Sequence, residues 1–293
     1  MRLNQYLARA GFGSRRACEA LILEGAVTIN GHRLRELAVQ VSDDDNVIVH
    51  GKPVKMPLPL VAMLHKPPGY LCTSAESTKE RTIYDLLPTN WPRVVYVGRL
   101  DKDSEGLLIV TNDGNLAQRL THPTHKLRKT YIVTLDKEFD FSLAPKMKKG
   151  VSIEEGFARM EDIFRIGPRT LKVVLTQGLK RQIREMFFKF GYEVKRLVRI
   201  AIGTLQLEKL GAGQHRVMTQ AEVKMYFPPN AAGRDKTKIL TQRKKPALQG
   251  SRKLAAEAEA AKKPAKKGPA ARKPTAAAKA AAVKSKSSGP RSA

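Results

Sequence analysis

Three carboxylates, Asp101, Asp103 and Glu105, fall within five residues of the run Gly98-Arg99-Leu100-Asp101-Lys102-Asp103-Ser104-Glu105-Gly106-Leu107-Leu108. Acid side chains this close suit several kinds of chemistry. Oxygens gathered together could hold a hard cation, although glycine-containing calcium loops space their ligands differently. One positioned carboxylate could serve as general base or attack carbon as a nucleophile. The bland alternative is a polar loop, because the run joins two apolar stretches, Val94-Val95-Tyr96-Val97 and Leu107-Leu108-Ile109-Val110, that read as strands. Spacing alone leaves these roles open.

Basic residues form the second set of candidates. Arg15 and Arg16 follow Ser14, a good N-cap, so they sit in the first turn of a helix. Cations there oppose the helix dipole. An anion docking at that end would meet both guanidinium groups and free backbone N–H groups; otherwise the side chains form a solvated face. Arg181 and Arg184 lie in a run whose apolar positions Ile183, Met186, Phe187 and Phe190 follow i, i+3, i+4, i+7. That periodicity buries one helix face and fixes the arginines flanking it. Tyr131 alternates with Val133 and Leu135, as a core tyrosine or as an aromatic face turned to a ligand. The six histidines, His32, His50, His65, His122, His125 and His215, contain no His-x-x-x-His pair. His122 and His125 span Pro123, so no metal site is expected.

These residues need elements to hold them. Residues 1–52 read as a helix (Leu3, Leu7, Ala10), a second helix (Ala17, Leu21, Ile22), a strand at Ala26-Val27-Thr28-Ile29, a tight turn at Asn30-Gly31 and a last strand at Val47-Ile48-Val49. Residues 53–59 hold Pro53, Pro57 and Pro59 and read as a linker. In residues 60–227 strands are predicted at 60–65, 93–98, 106–111, 129–135, 157–166, 169–176 and 202–208. Helices are predicted there at 82–87, 114–121, 141–149, 180–190 and 219–226. Strands adjacent in sequence favour antiparallel pairing, hence an α+β fold with a mixed, mainly antiparallel sheet. Residues 228–293 hold 18 Ala and no aromatic residue, which predicts a disordered tail.

Charge narrows the partner. The chain has 293 residues and a net charge of +27, from 54 Lys and Arg against 27 Asp and Glu. Residues 229–293 contribute +15 of it, and the body the remaining +12. Such an excess points to a polyanion, most simply nucleic acid. No stretch approaches the roughly 18 apolar residues of a membrane span. Met1-Arg2-Leu3-Asn4-Gln5 does not open a secretory signal. Cys18 and Cys72 are too few for a disulfide framework or a cysteine zinc site. A soluble, cytoplasmic protein is expected.

Two resemblances sharpen this. Arg2, Ser14-Arg15-Arg16, Gly25, Val27-x-Ile29-Asn30-Gly31 and the final Asp-x-x-x-Val-Ile-Val element resemble, in order, the S4 RNA-binding module. The resemblance implies RNA contacts at Arg2, Arg15 and Arg16, with Asn30, His32 and Arg33 as weaker candidates. Gly98-Arg99-Leu100-Asp101 with Gly106-Leu107-Leu108 is similar to the active-site motif of the RsuA/RluA superfamily of pseudouridine synthases. The continuation to Thr111-Asn112-Asp113-Gly114 and Thr121-His122-Pro123 resembles its RsuA branch (RsuA, RluB, RluE and RluF). His65-Lys66-Pro67-Pro68-Gly69, Lys129-Thr130-Tyr131 and Gly178-Leu179-Lys180-Arg181-Gln182-Ile183-Arg184-Glu185-Met186 match further blocks of that branch in order.

The second resemblance implies an isomerisation of uridine to pseudouridine that needs no cofactor. Asp101 is then the catalytic aspartate, Tyr131 stacks on the target base, and Arg184 pairs with the aspartate. Asp103 and Glu105 fall to structural or substrate-shaping roles, and Arg99 and Arg181 are candidate RNA contacts. Chemistry on a base in folded RNA requires that base to be flipped out, and an aromatic face compensates for its lost stacking. The implied partner is structured RNA, ribosomal RNA by family analogy with a lean to the large subunit, bound by a monomer without an obligate protein partner. The competing readings are a non-catalytic RNA-binding assembly factor and, on the Ala/Lys/Pro tail, a DNA-compacting protein. The presence of Asp101, Tyr131 and Arg184 speaks against the first, the S4-like module against the second.

Overall fold

The computed structural model describes residues 1–42, 44–75 and 78–228. The tail expected beyond Pro228 lies outside the described residues.

The chain opens with two short helices, α1 (Leu3–Arg9) and α2 (Arg15–Leu23), packed together. Leu3, Leu7, Cys18 and Ile22 are fully buried between them and the sheet that follows. The Ser14 hydroxyl accepts the Ala17 N–H at 3.1 Å, the capping expected of it. Strands β1 (Val27–Ile29), β2 (His32–Leu34), β3 (Val47–Val49) and β4 (Lys52–Pro53) form a sheet of order β2-β1-β3-β4. Asn30 and Gly31 take φ of 52° and 86°, the positive values that a two-residue hairpin turn demands. Strand β4 takes in Pro53, the first of the three prolines that suggested a linker over 53–59; it stands on the sheet edge, where no N–H is needed.

The rest of the described chain is built on one nine-stranded sheet. Its strands are β5 (Val61–Lys66), β6 (Val95–Val97), β7 (Glu105–Thr111), β8 (Lys129–Leu135), then, after the separate hairpin β9 (Val151–Ile153) and β10 (Gly156–Ala158), β11 (Asp162–Arg165), β12 (Thr170–Leu175), β13 (Val194–Ile202), β14 (Leu205–Gln206) and β15 (His215–Val217). The spine runs β11-β12-β8-β13-β7-β5-β15, with β14 on β13 and β6 on β7. Every pair is antiparallel except β13 with β7, which pair in parallel. Helices α3 (Gly114–Thr121), α4 (Ala144–Lys149), α5 (Gln182–Lys189) and α6 (Gln220–Tyr226) complete the fold.

Both faces of this sheet are covered, which explains why β7 is apolar along most of its length. Leu108 and Val110 join the core that contains Tyr131, Val133 and the α5 residues Ile183, Met186 and Phe187. Leu107 and Ile109 point the other way, into a core with Leu116 of α3. The α+β expectation holds. Strand β8 and helix α3 occupy the predicted ranges, and α5 carries the predicted buried face.

Several expectations need correction. The stretch expected as one strand over 157–166 is two, β10 and β11, with Arg159, Met160 and Glu161 turning between sheets. The strand expected over 202–208 shrinks to β14, because Ile202 ends β13. The helix expected over 82–87 is a single 3-10 turn, Ile83–Leu86, and that over 141–149 is a 3-10 turn, Phe141–Leu143, leading into α4. Strands β9, β13 and β15 have no counterpart among the expected elements.

Candidate active site and nucleic-acid interface

The loop between β6 and β7 carries the acidic cluster. The two strands pair up to Val97 and Ile109, so residues 98–104 leave one strand and return to the other over the junction with β13. Gly98 turns the chain at φ 69°. Leu100 is buried and pins the loop into the core, which leaves Arg99 and Asp101 on its outer side. Lys66, fully buried at the end of β5, sits beneath the loop. Its ammonium donates to the carbonyls of Pro67 (3.0 Å), Lys102 (3.2 Å) and Ser104 (2.8 Å), so all three of its donors are used. Burial pushes its pKa down, and Cys72, Asp103 and Asp101 oppose that shift. The Gly69 N–H also donates to Lys102 O at 2.7 Å. The His65-to-Gly69 segment is thus the platform on which the acidic loop rests.

The three carboxylates have different surroundings. Glu105 is buried and accepts two hydrogen bonds from Arg196 (3.0 and 2.8 Å). His65 lies 3.3 Å away from it. The Arg196 hydrogen bond, working against burial, holds the Glu105 carboxyl below the usual range. Asp103 receives Arg181 at both oxygens, 3.3 Å each, and Arg184 at 3.1 Å. Asp101 is part-exposed, and its carboxylate makes no hydrogen bond or ion pair among the described residues.

This corrects one expected pairing. The resemblance implies a pair of Arg184 with Asp101, whereas in this structure its ion pair runs to Asp103. Arg184 also donates to Asp103 O (3.2 Å) and Val194 O (2.6 Å), so α5 holds it level with the second carboxylate of the loop. Asp101 still contributes to the field that supports the Arg184 charge, after Asp103 and against burial, which lowers the arginine's pKa.

Beside the loop opens a cavity of about 640 Å³. Lys129 and Tyr131 of β8 and Leu197 and Arg199 of β13 lie on its wall together with Arg99, Asp101 and Arg181. Arg184 lies outside this lining, on Asp103. Tyr131 is buried, and its Cα partners in the sheet are Val173 and Arg199. Arg199 is 1 % exposed. Its Nε donates to Leu107 O (2.7 Å) and its Nη1 to Arg99 O (3.3 Å), so it ties the acidic loop to β7. Gly106 makes the approach possible: a Cβ there would lie 2.3 Å from Arg199 O. Lys129 is pushed down to about 8, first by burial and then by Arg199.

Lys66, Lys129 and Arg199 are site residues that sequence reasoning misses. Lys66 and Lys129 stand inside motif blocks that give them no role. Arg199 lies in an unrecognised strand; its signal is a lone cation amid Leu197-Val198 and Ile200-Ala201-Ile202.

In the first fifty residues, Arg2, Arg15, Arg16, His32 and Arg33 are all exposed. The first turn of α2 contains no acidic residue, which leaves the arginine-rich end open to an anion. Asn30 is engaged within its turn: it donates to Asp45 (2.8 Å) and accepts from Asn46 N (2.9 Å). Among the described residues no group of three or more His, Cys, Asp or Glu could hold a metal ion. No described helix is long and apolar enough to cross a membrane.

The described chain thus sets an exposed basic module before a two-faced sheet with a carboxylate on the wall of a cavity. Comparison with known proteins identifies the family. The S4 domain model matches residues 1–47, and the RNA pseudouridylate synthase model matches residues 61–189. An uncharacterized RNA pseudouridine synthase of Aquifex aeolicus is 41% identical over 233 residues, 78% of this chain and 94% of the relative. The ribosomal large subunit pseudouridine synthase B of Bacillus subtilis is 34% identical over 229 residues, 76% of this chain and 94% of the relative. A crystal structure of a pseudouridylate synthase superposes with a TM-score of 0.56 at 27% identity, covering 76% of this chain and 98% of that one. The chain belongs to the RNA pseudouridine synthase family, in its RsuA-like branch, and is an isomerase.

Proposed function

We propose that the chain isomerises a uridine of large-subunit ribosomal RNA in the cytoplasm, with Asp101 as the catalytic carboxylate. The observation that carries this is the Asp101 carboxylate, unpaired among the described residues, at a cavity walled by Tyr131, while its two acidic neighbours are held by arginines. A group needed for chemistry is left free, and the groups needed for structure are bound. The names of the Bacillus subtilis relative and its Vibrio cholerae counterpart, both large-subunit enzymes, favour that RNA.

The reaction breaks the C1′–N1 bond of uridine, turns the base and joins C1′ to C5. Asp101 can attack C1′ and carry the sugar as an ester, or remove the C2′ proton and leave a glycal. Either route needs an ionised carboxylate aimed at the sugar. Tyr131 offers its ring to the extruded base, and Arg184 steadies the loop through Asp103. Arg2, Arg15, Arg16 and Arg33 supply phosphate contacts away from the chemistry, as do Arg99 at the lip and Arg181 beside it.

Asp101→Asn removes the negative charge and keeps the shape. It is expected to abolish pseudouridine formation while RNA binding stays within about twofold, because the phosphate contacts that dominate affinity are untouched. Pseudouridine mapping of total RNA from cells with the unaltered chain, with Asp101→Asn and without the protein checks both the residue and the RNA. Undiminished modification in the variant would sink the assignment of Asp101, and a lost site outside ribosomal RNA would sink the choice of substrate.

A further inference from the structure

Among the cations on the cavity wall, Lys129 and Arg199 stand on the two paired strands that present Tyr131, and neither has a task in the chemistry. Lys129 and Tyr131 are two apart on β8, so both side chains leave the same face of the sheet. Arg199 stands across from Tyr131 in the antiparallel ladder. A base lying on the Tyr131 ring therefore has Lys129 to one side along the strand and Arg199 to the other across it.

Both cations hold unused capacity. The Lys129 ammonium has one hydrogen bond among the described residues, to Leu127 O at 3.3 Å, and no carboxylate beside it. Arg199 is almost wholly buried, and its Nη2 has no partner among the described residues. A buried cation with an idle donor is unfavourable in the resting protein. It becomes favourable if negative charge develops against it during the reaction.

The isomerisation generates such a charge. When C1′–N1 breaks, N1 keeps the electron pair and uracil becomes an anion, its charge shared among N1, O2 and O4. Asp101 meanwhile bonds C1′ or holds the C2′ proton. C5 then joins C1′ as the Asp101 carboxylate leaves with its bonding pair, or as the proton returns to C2′. The C5 proton is released to solvent and N1 takes one up, so atoms and electrons balance without a co-reactant.

We propose that Lys129, backed by Arg199, is the counter-charge that stabilises the uracil anion between breaking of the C1′–N1 bond and formation of the C1′–C5 bond. The inference rests on the assignment of Asp101 and Tyr131 given above. It has a consequence in pH. The other charged or titratable groups on the surrounding wall are Arg199 of β13, Tyr131 of the same strand, Asp101 and Arg99 of the acidic loop, His122 and Lys126 after α3, Arg159 after β10, and Lys180 and Arg181 ahead of α5. With a pKa near 8, Lys129 is charged at neutral pH and loses its proton as pH rises through that value. The chemical step should slow over the same interval.

The test uses the full chain and transcribed large-subunit ribosomal RNA labelled with tritium at uracil C5, whose release reports the reaction. Lys129→Met is expected to lower the single-turnover rate about 100-fold, the usual effect of deleting one preorganised donor, with RNA affinity within about threefold. Lys129→Arg restores a charge that does not titrate. It should recover at least about tenfold of that loss and abolish the fall in rate near pH 8. Titration of uridine itself is common to all the enzymes and cancels in that comparison. A Lys129→Met rate within threefold of the unaltered chain, a loss confined to RNA affinity, or an alkaline limb unchanged in Lys129→Arg would each overturn the inference. Asp101→Asn runs alongside: tritium release from it would overturn the assignment of Asp101 and this inference with it, whereas an inactive Asp101→Asn beside a fully active Lys129→Met overturns this inference alone.

Discussion

A lysine removed from water has to be satisfied by something, and Lys66 is satisfied by three main-chain carbonyls. Two of them belong to the loop that carries Asp101, so a buried cation beneath the loop sets the position of the carboxylate proposed for catalysis above it. Lys66→Met keeps the length and apolar bulk of the side chain and orphans all three acceptors. Charged hydrogen bonds contribute about 1.5–3 kcal/mol each, offset by the relieved cost of burying the ammonium, so a net loss of about 2–3 kcal/mol is expected. Urea unfolding checks this value, and the turnover rate should fall with it because the loop is no longer held. How legible such residues are in the sequence depends on where their partners lie. Asp101 and Tyr131, which the structure brings to one cavity, can be nominated from sequence because the motif around each is contiguous. Arg199 cannot, because its partners Leu107 and Arg99 are 92 and 100 residues away. The resemblance pairs Arg184 with Asp101; the structure sets its ion pair on Asp103, two residues further along the same loop, and nothing local in the sequence separates the two carboxylates.

At the level of elements, legibility follows periodicity. Strand β8 and helix α3 have unbroken patterns and lie where those patterns put them. Strand β13 reads Val-Lys-Arg-Leu-Val-Arg-Ile-Ala-Ile, with charged residues at Lys195, Arg196 and Arg199. These break both the alternating and the continuous apolar signature. The strand accommodates them because Arg196 pairs with Glu105, Arg199 is taken up by the acidic loop, and the ladder to β8 shifts register beside both. The second helix is legible from its cap, and it supports a prediction. Arg15 and Arg16 oppose the dipole of α2, so replacing both by Ala should leave stability unchanged or raise it by a few tenths of a kcal/mol. RNA affinity should fall at the same time, and the slope of log K against log salt should drop by about one for each phosphate that is no longer neutralised. Thermal unfolding and salt-dependent RNA binding on the same variant separate the two effects. Unaltered binding would place the RNA elsewhere on the module.

For the whole molecule, charge is divided unequally among tasks. The described body places a few cations at particular points: Arg15 and Arg16 at a helix end, Arg181 and Arg184 on Asp103, Lys66 under the loop, Lys129 and Arg199 on the cavity wall. Arg184, Lys66 and Arg199 are engaged by a carboxylate or by main-chain carbonyls, whereas Arg15 and Arg16 stand exposed. Residues 229–293 contribute +15 in only 65 residues, without an aromatic side chain to stack on a base. Charge of that kind acts through counterion release, which is insensitive to sequence and falls steeply with salt. Removing residues 229–293 should therefore leave the turnover rate on saturating RNA unchanged. At about 50 mM salt it should weaken RNA affinity by roughly tenfold or more, and the loss should shrink as salt rises toward about 200 mM. Titrating the full and shortened chains against ribosomal RNA across that range checks it. Identical salt slopes would mean that the tail carries no binding role. A fall in the saturated rate would mean that it reaches the chemistry, which nothing in its composition provides for.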